Sequence, residues 1–326
     1  MIHDLKERVF KANRDTFASI ALEIFRFQYL NNALYKLYVE SLKIDPNMIS
    51  DISRLPFMPI SFFKENSIKT TDFESEIIFE SSGTTRSQPS RHFVKDLDIY
   101  RKSYKRGFEL FYGEPVDWCI IGLLPSYIER GNSSLVWMVD QLIHSSKDAR
   151  SGFYLDELDE LHHVLQSLEA ENRKTLLIGV TFALVDFAER FSLDLKNTIV
   201  METGGMKGRR KEITRMELHE FLKRKLGLKT VHAEYGMTEL LSQAYSKGEG
   251  IFNTPPWMKV LVSGDDDPFD INPAGEGVIN VIDLANLYSC SFIATDDLGR
   301  IYSDGSFEVL GRRDASDIRG CSLLVI

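Results

Sequence analysis

The chain has 326 residues, of which 43% are hydrophobic and 27% charged, with a formal net charge of −9. Such a chain can bury a large core, as one α/β unit or as two lobes, and nothing in its charge favours a nucleic-acid partner. No apolar run approaches the ~20 residues of a membrane span, so integral membrane insertion is not expected. The start, Met1-Ile2-His3-Asp4-Leu5-Lys6-Glu7, does not read as a secretory leader, and Cys119, Cys290 and Cys321 are too scattered for a disulfide framework. A cytoplasmic setting is the expectation.

Residues 3 to 44 are predicted to be helical, with Phe10, Phe17, Ile20, Ile24, Phe27, Leu30, Leu34 and Leu37 recurring every three or four positions as the apolar stripe. Leu55-Pro56-Phe57-Met58-Pro59-Ile60 breaks that pattern, because prolines cannot continue a helix, and reads as a connecting arm. Ile77-Ile78-Phe79 reads as a strand. Trp118 to Leu124 and Thr175 to Val180 are continuous apolar runs suited to strands covered on both faces. Between them Leu155, Leu158, Leu161, Leu165 and Leu168 mark an amphipathic helix. Thr181 is expected to cap a helix through about Phe191, and Asn197 to Met201 to be a strand before the Gly204-Gly205 turn. Thr214 with Glu217 makes a capping box for a helix whose face carries Met216, Phe221, Leu222 and Leu226 and which stops at Gly227. The strand at Thr230 to Ala233 then leads into Glu234-Tyr235-Gly236. This alternation argues for a parallel or mixed sheet with helices on both sides. After about residue 257 the texture changes to short strands with acidic and glycine turns, Asp265-Asp266-Asp267 being a solvated turn. The expected divisions are therefore 1–70 (helices and arm), 71–256 (α/β core) and 257–326 (β-rich part).

Two stretches carry chemistry. Glu80-Ser81-Ser82-Gly83-Thr84-Thr85 is a hydroxyl-rich turn around one glycine, able to offer backbone N–H groups and hydroxyls to a phosphate chain. Glu234-Tyr235-Gly236-Met237-Thr238-Glu239 supplies an aromatic face, a hydroxyl and a carboxylate, which suit a purine, a phosphate and a magnesium ion. Together they point to a nucleotide site.

The pair resembles the phosphate loop and Tyr-Gly-x-Thr-Glu motif of the acyl-adenylate-forming superfamily, which includes acyl-CoA synthetases and phenylacetate-CoA ligases. Thr295-Asp296-Asp297-Leu298-Gly299-Arg300 is similar to that family's Thr-Gly-Asp-Leu-Gly-Arg, and Val309-Leu310-Gly311-Arg312-Arg313-Asp314 to its Leu-Gly-Arg-x-Asp segment. The resemblance implies an α/β fold, a large N-terminal adenylation domain with mixed sheets flanked by helices and a short β-rich terminal part. It implies ATP and Mg2+ as the working pair, with a carboxylate attacking the α-phosphate to give acyl-AMP and pyrophosphate. By motif, Ser81, Ser82, Gly83, Thr84 and Thr85 hold the β- and γ-phosphates. Tyr235 stacks on adenine, Thr238 touches the α-phosphate and Glu239 binds magnesium. Gly204 and Gly205 form a flat wall under the adenine. Asp297 accepts from the ribose hydroxyls, and Arg312 lies near the ribose or the leaving phosphates. The family's phosphate-loop lysine is missing here, and Arg86 or Arg91 is the candidate to supply its charge.

A second departure concerns the terminus. The superfamily's mobile C-terminal domain, with its catalytic lysine, is expected to be absent, since the sequence ends about a dozen residues past Asp314. That end resembles the acyl-protein synthetases of bacterial luminescence operons (LuxE-like), which acylate a cysteine close to their own C-terminus. The resemblance makes Cys321 the nucleophile that takes a fatty or other carboxylic acid from AMP as a thioester, with a partner reductase or transferase removing it. Cys321 as a buried terminal-strand residue is the bland alternative. Cys119 and Cys290 read as core, and His92, His144 and His232 as candidate contacts to the acid. Two other functions stay open: delivery of acyl-AMP to a separate acceptor, and an inactive acyl- or nucleotide-binding subunit.

Overall fold

The computed structural model describes residues 2–81, 88–124, 132–154, 157–204, 214–264 and 267–313. The chain opens with helices α1 (Ile2–Val9), α2 (Phe17–Asn31) and α3 (Ala33–Ser41), then β1 (Met58–Pro59), α4 (Phe62–Glu65), β2 (Ile77–Glu80) and β3 (Arg91–Val94). Alternation follows: α5 (Leu97–Tyr112), β4 (Cys119–Leu123), α6 (Ser134–Ser145), β5 (Gly152–Phe153), α7 (Leu158–Ala170), β6 (Thr175–Val180), α8 (Thr181–Arg190), β7 (Thr198–Thr203), α9 (Arg215–Leu226) and β8 (His232–Tyr235). Strands β9 (Ala244–Ser246), β10 (Phe252–Asn253), β11 (Met258–Ser263), β12 (Ile271–Asn272), β13 (Gly275–Asp283), β14 (Phe292–Ile301) and β15 (Phe307–Arg312) complete it. The chain forms two compact units: Met1–Glu76 with His92–Lys95 and Pro256–Ile326, and Ile77–Arg91 with Asp96–Pro255.

In the second unit β5, β4, β6, β7 and β8 run parallel in that order, and β9 and β10 continue antiparallel. Every residue of β4 and of β6 is buried, as a sheet covered on both faces requires. Val139 of α6 packs on β4 at Gly122, and Leu184 of α8 on β6 at Gly179; the register puts those two positions on opposite faces. The capping box at Thr214 and Glu217 is formed, and Gly227 ends α9 in the left-handed conformation. Two expectations fail here. Met216 is exposed and the buried face of α9 carries Leu218, His219, Leu222 and Leu226. Thr181 does not cap α8 but is its first residue, because its hydroxyl is drawn to Gly204 O and Glu202 instead.

The first unit is an antiparallel sheet in the order β12, β11, β13, β14, β15, with β1 pairing in parallel along β14. Its central strands are longer than the sequence texture suggested, nine residues in β13 and ten in β14. The proline arm is fixed by side chains: Tyr35 Oη donates to Pro56 O and Tyr38 Oη to Phe57 O, each at 2.7 Å, and Ile60 N donates to Ala294 O. The predicted stripe of the first helices is also partly wrong. Leu30 and Leu37 are exposed, whereas Gln28 is fully buried. Its Nε2 donates to Asn286 O at 2.9 Å, and its Oε1 accepts from Ser291 N at 3.0 Å. A polar residue thus takes a core position because it satisfies the backbone of the segment it covers. Among the described residues, no helix is long and apolar enough to cross a membrane.

Gln28→Ala should leave these buried backbone groups unpaired, so urea unfolding should show a loss of about 2–4 kcal/mol. An unchanged midpoint would mean that α2 is held by apolar contact alone.

Candidate functional site

Three parallel strands of the second unit end at one level, because Val180 pairs with Thr203 and Thr203 with Glu234. The chain leaves that edge as Thr181, Gly204 and Gly236. In open α/β sheets ligands bind outside the carboxyl ends of the strands, where turns can differ without disturbing the core. Gly204 has φ of +65°, and its carbonyl accepts from Thr181 Oγ1 at 2.9 Å. Gly204 and Tyr235, assigned from the sequence to the two sides of an adenine, are thereby set one step beyond paired residues on neighbouring strands.

The two faces of this edge bury their carboxylates differently. On one face Glu202, only 4% exposed, accepts from Arg215 Nε at 3.0 Å, and Thr181 Oγ1 lies 3.4 Å from its other oxygen. Arg215 also lies 5.2 Å over the ring of Phe252, whose centroid is 6.0 Å from that of Tyr235. One arginine therefore ties the start of α9 to the end of β7 and to the ring that flanks Tyr235. Tyr235 itself is buried, as is Glu239; Thr238 is half-buried in the turn closed by Leu240 N to Met237 O.

On the opposite face Glu234 is also buried, and among the described residues its hydrogen-bond partner is Thr203, whose Oγ1 donates to Oε2 at 2.5 Å. Its Oε1 folds back so closely that a Cβ on Gly236 would lie 2.4 Å away, which gives this glycine a local reason to be one. Burial pushes the Glu234 carboxyl up to about 7; the Thr203 bond opposes the rise and the Glu202 charge adds to it. Beside it His232 lies 3.2 Å from Tyr112 Oη through Nδ1, and burial, helped by the Lys247 charge, pushes the imidazole down to about 4. His232 is therefore neutral at pH 7. His92 is buried edge-on to Phe63, and His144 is exposed with Nδ1 against Asp140 O.

Ser81, the residue after β2, is paired with Ser90: its N donates to Ser90 O and its Oγ accepts from Ser90 N. Below it, Phe79 packs on Tyr100 at 5.3 Å, and the Tyr100 hydroxyl is pushed well up by burial and then by the Glu234 charge. Ser82, Gly83, Thr84, Thr85, Arg86, Gly205 and Cys321 lie outside the described residues. In the first unit Asp297 and Arg312 are cross-strand partners on β14 and β15. Asp297 N donates to Thr295 Oγ1, while the exposed Arg312 guanidinium lies 3.7 Å from Asp296. Cys119 and Cys290 are buried, with thiols pushed up to about 11 and about 12, foremost by burial. Sequence reasoning gave no role to Thr203, Glu202, Arg215 or Glu234, although acidic residues ending two apolar strands are a visible signal.

The model of one protein family, described as acyl-protein synthetase, LuxE, matches residues 4–326. No curated protein matches the chain. Among solved structures, ATP-bound MatB from Rhodopseudomonas palustris is similar at TM-score 0.55 and 19% identity, covering 74% of this chain and 50% of its own. An ATP-bound chimera of it, RpMatB-BxBclM B3, gives TM-score 0.55 and 19% identity over 74% and 49%, and chimera B1 gives 0.53 and 20% over the same shares. The chain thus spans about half the length of the solved structures it matches, and at this identity the likeness shows the fold.

A carboxyl raised by burial favours folding below its unfolded value, and that contribution is lost as pH rises from about 4.5 through about 7. Glu234→Gln keeps the Thr203 bond without the charge. It should exceed the wild type in stability by about 1–3 kcal/mol at alkaline pH and converge with it in acid. Thermal melts of both across the range check this; parallel curves would mean that Glu234 is not held neutral.

Proposed function

This chain belongs to the acyl-protein synthetase family, LuxE, and from that premise we propose that it is an ATP-dependent acyl-activating ligase. The observation that carries the reading is the common level at which β7 and β8 end, with Gly204 beside the Tyr235-Gly236 turn and Glu239 buried just beyond it. An open glycine and an aromatic ring on adjacent strand ends suit a flat purine, and donors and a carboxylate next in the chain suit its phosphates.

In this reading a carboxylate oxygen of the acid attacks the α-phosphorus of ATP. The bond from that phosphorus to the bridging oxygen breaks, and pyrophosphate leaves with the electron pair. The protein's part is alignment and charge neutralisation. Ser81 to Thr85, with Arg86, cradle the outer phosphates, Thr238 meets the α-phosphate and Tyr235 and Gly204-Gly205 bracket the adenine. Asp297 and Arg312 serve the ribose side. Mg2+ is commonly bound through one or two carboxylates with phosphates and water; Glu239 is the residue that would hold it, and the ion would supply charge neutralisation at the phosphates.

The thiolate of Cys321 then attacks the acyl carbonyl carbon. The carbon–oxygen bond to the phosphate breaks, AMP leaves, and the thiol proton has gone to solvent. Cys119 and Cys290 are poor alternatives, since burial holds both as thiols. The acid is a fatty acid in this reading, and a reductase or transferase partner takes the acyl group. A cytoplasmic setting belongs to it, because the step needs ATP and a reduced thiol.

With ATP, magnesium and a panel of fatty acids, mass spectrometry should find an acyl adduct on the peptide containing Cys321. Cys321→Ala should lose the adduct yet keep ATP–pyrophosphate exchange, while Glu239→Gln should lower exchange by about 100-fold or more. An adduct that survives Cys321→Ala, or exchange at background with every acid, would contradict the proposal.

A further inference from the structure

A row of side chains crosses one face of the second unit's sheet just below the position assigned to the adenine. Glu202 of β7 pairs with Ala233 of β8, Ala233 with Ser246 of β9, and Ser246 with Phe252 of β10. Registered neighbours share a face, so these four residues stand side by side. Tyr235 lies two residues beyond Ala233 and is therefore on that same face, one step nearer the strand end. Glu202 and Phe252 are the large members of the row. Between them Ala233 is only a methyl group, and Ser246 spends its hydroxyl on its own turn, donating to Gly248 O at 2.9 Å.

Arg215, in the first turn of α9, reaches both ends of this row. Its Nε donates to Glu202 Oε1 at 3.0 Å, and its guanidinium carbon lies 5.2 Å over the Phe252 ring. Its stem passes Gly250, where a Cβ would lie 3.2 Å from Arg215 Cδ. Phe252 in turn meets Tyr235 edge to face, with ring centroids 6.0 Å apart and planes at 61°. The guanidinium thus backs the ring that backs Tyr235. The buried His219 does not replace it, because Nε2 is 3.7 Å from Glu202 Oε1, beyond hydrogen-bond range.

Folding alone gives little reason for an ion pair here. Desolvation offsets the attraction, and exchanging a buried pair for apolar side chains of similar size is often neutral. What the pair supplies is geometry. Arginine offers at once a donor fork for a carboxylate and a flat cationic face for an aromatic ring.

We propose that Arg215, anchored by Glu202, is a positioning residue for the nucleotide. It sets the Phe252 ring, and through it the attitude of Tyr235, so that a flat face is presented to the adenine. This role rests on the nucleotide reading above and adds to it the group that orients the stacking ring. Arg215 acts through Phe252 and Tyr235 and is assigned no contact with the ligand.

Arg215→Lys keeps a cation for Glu202 but has no plane to lay on Phe252. Equilibrium binding of MgATP and MgUTP to the full chain, with urea unfolding of the same preparations, separates positioning from folding. The two nucleotides share ribose and phosphates and differ in the ring. In Arg215→Lys, affinity for MgATP should fall about tenfold and that for MgUTP less than about threefold, while unfolding stays one cooperative transition. If that variant does not fold, Glu202→Gln combined with Arg215→Met removes both charges together and should show the same selective loss. Unchanged ATP affinity in a folded variant, or equal loss of ATP and UTP, would overturn the role of Arg215 and leave the nucleotide site standing. A wild-type chain that binds ATP no better than UTP would overturn the nucleotide reading and this inference with it.

Discussion

The parallel register that sets Val180 beside Thr203 and Thr203 beside Glu234 is the constraint from which the candidate site follows. It ends three strands at one level and hands the chain on at Thr181, the start of α8, at Gly204 and at Gly236. A shift of one residue would move Thr203 away from the Glu234 carboxyl and turn every side chain of the strand to the other face. The 2.5 Å bond between them therefore joins local register to the placing of Tyr235 and the turn behind it.

The same edge buries two acidic side chains, and physical chemistry allows only a few ways to do so. Glu202 takes a cation: Arg215 reaches it from the first turn of α9. Glu234 takes one hydroxyl and is held toward its neutral form. Removing the partner of the first would strand a buried charge, a costly outcome. The second instead stays tolerable by keeping its proton. Glu202 lies two residues from Gly204 and Glu234 one from Tyr235, positions the sequence assigns to the nucleotide, so the candidate site rests on a polar layer inside an apolar sheet.

Much of this was legible in the sequence. Buried parallel strands announce themselves as unbroken apolar runs, so β4 and β6 were readable, as were the Thr214 capping box and the Gly227 stop. The Tyr235-Gly236 stretch was readable as a strand end, which is where β8 stops. What was not legible depended on partners distant in the chain. Gln28 is a core residue only because residues 286–291 present bare backbone to it, and Leu30 and Leu37 keep the helical period while facing outward. Thr181 looks like a cap until the Gly204 carbonyl competes for its hydroxyl.

The central claim is that the ends of β7 and β8 receive one nucleotide. A crystal structure of the chain with a non-hydrolysable ATP analogue and magnesium tests it most directly. The adenine is expected against Tyr235 and the Gly204 turn, with Glu239 facing the phosphates. A nucleotide bound away from those strand ends, or a Tyr235 ring that meets no ligand, would contradict the account.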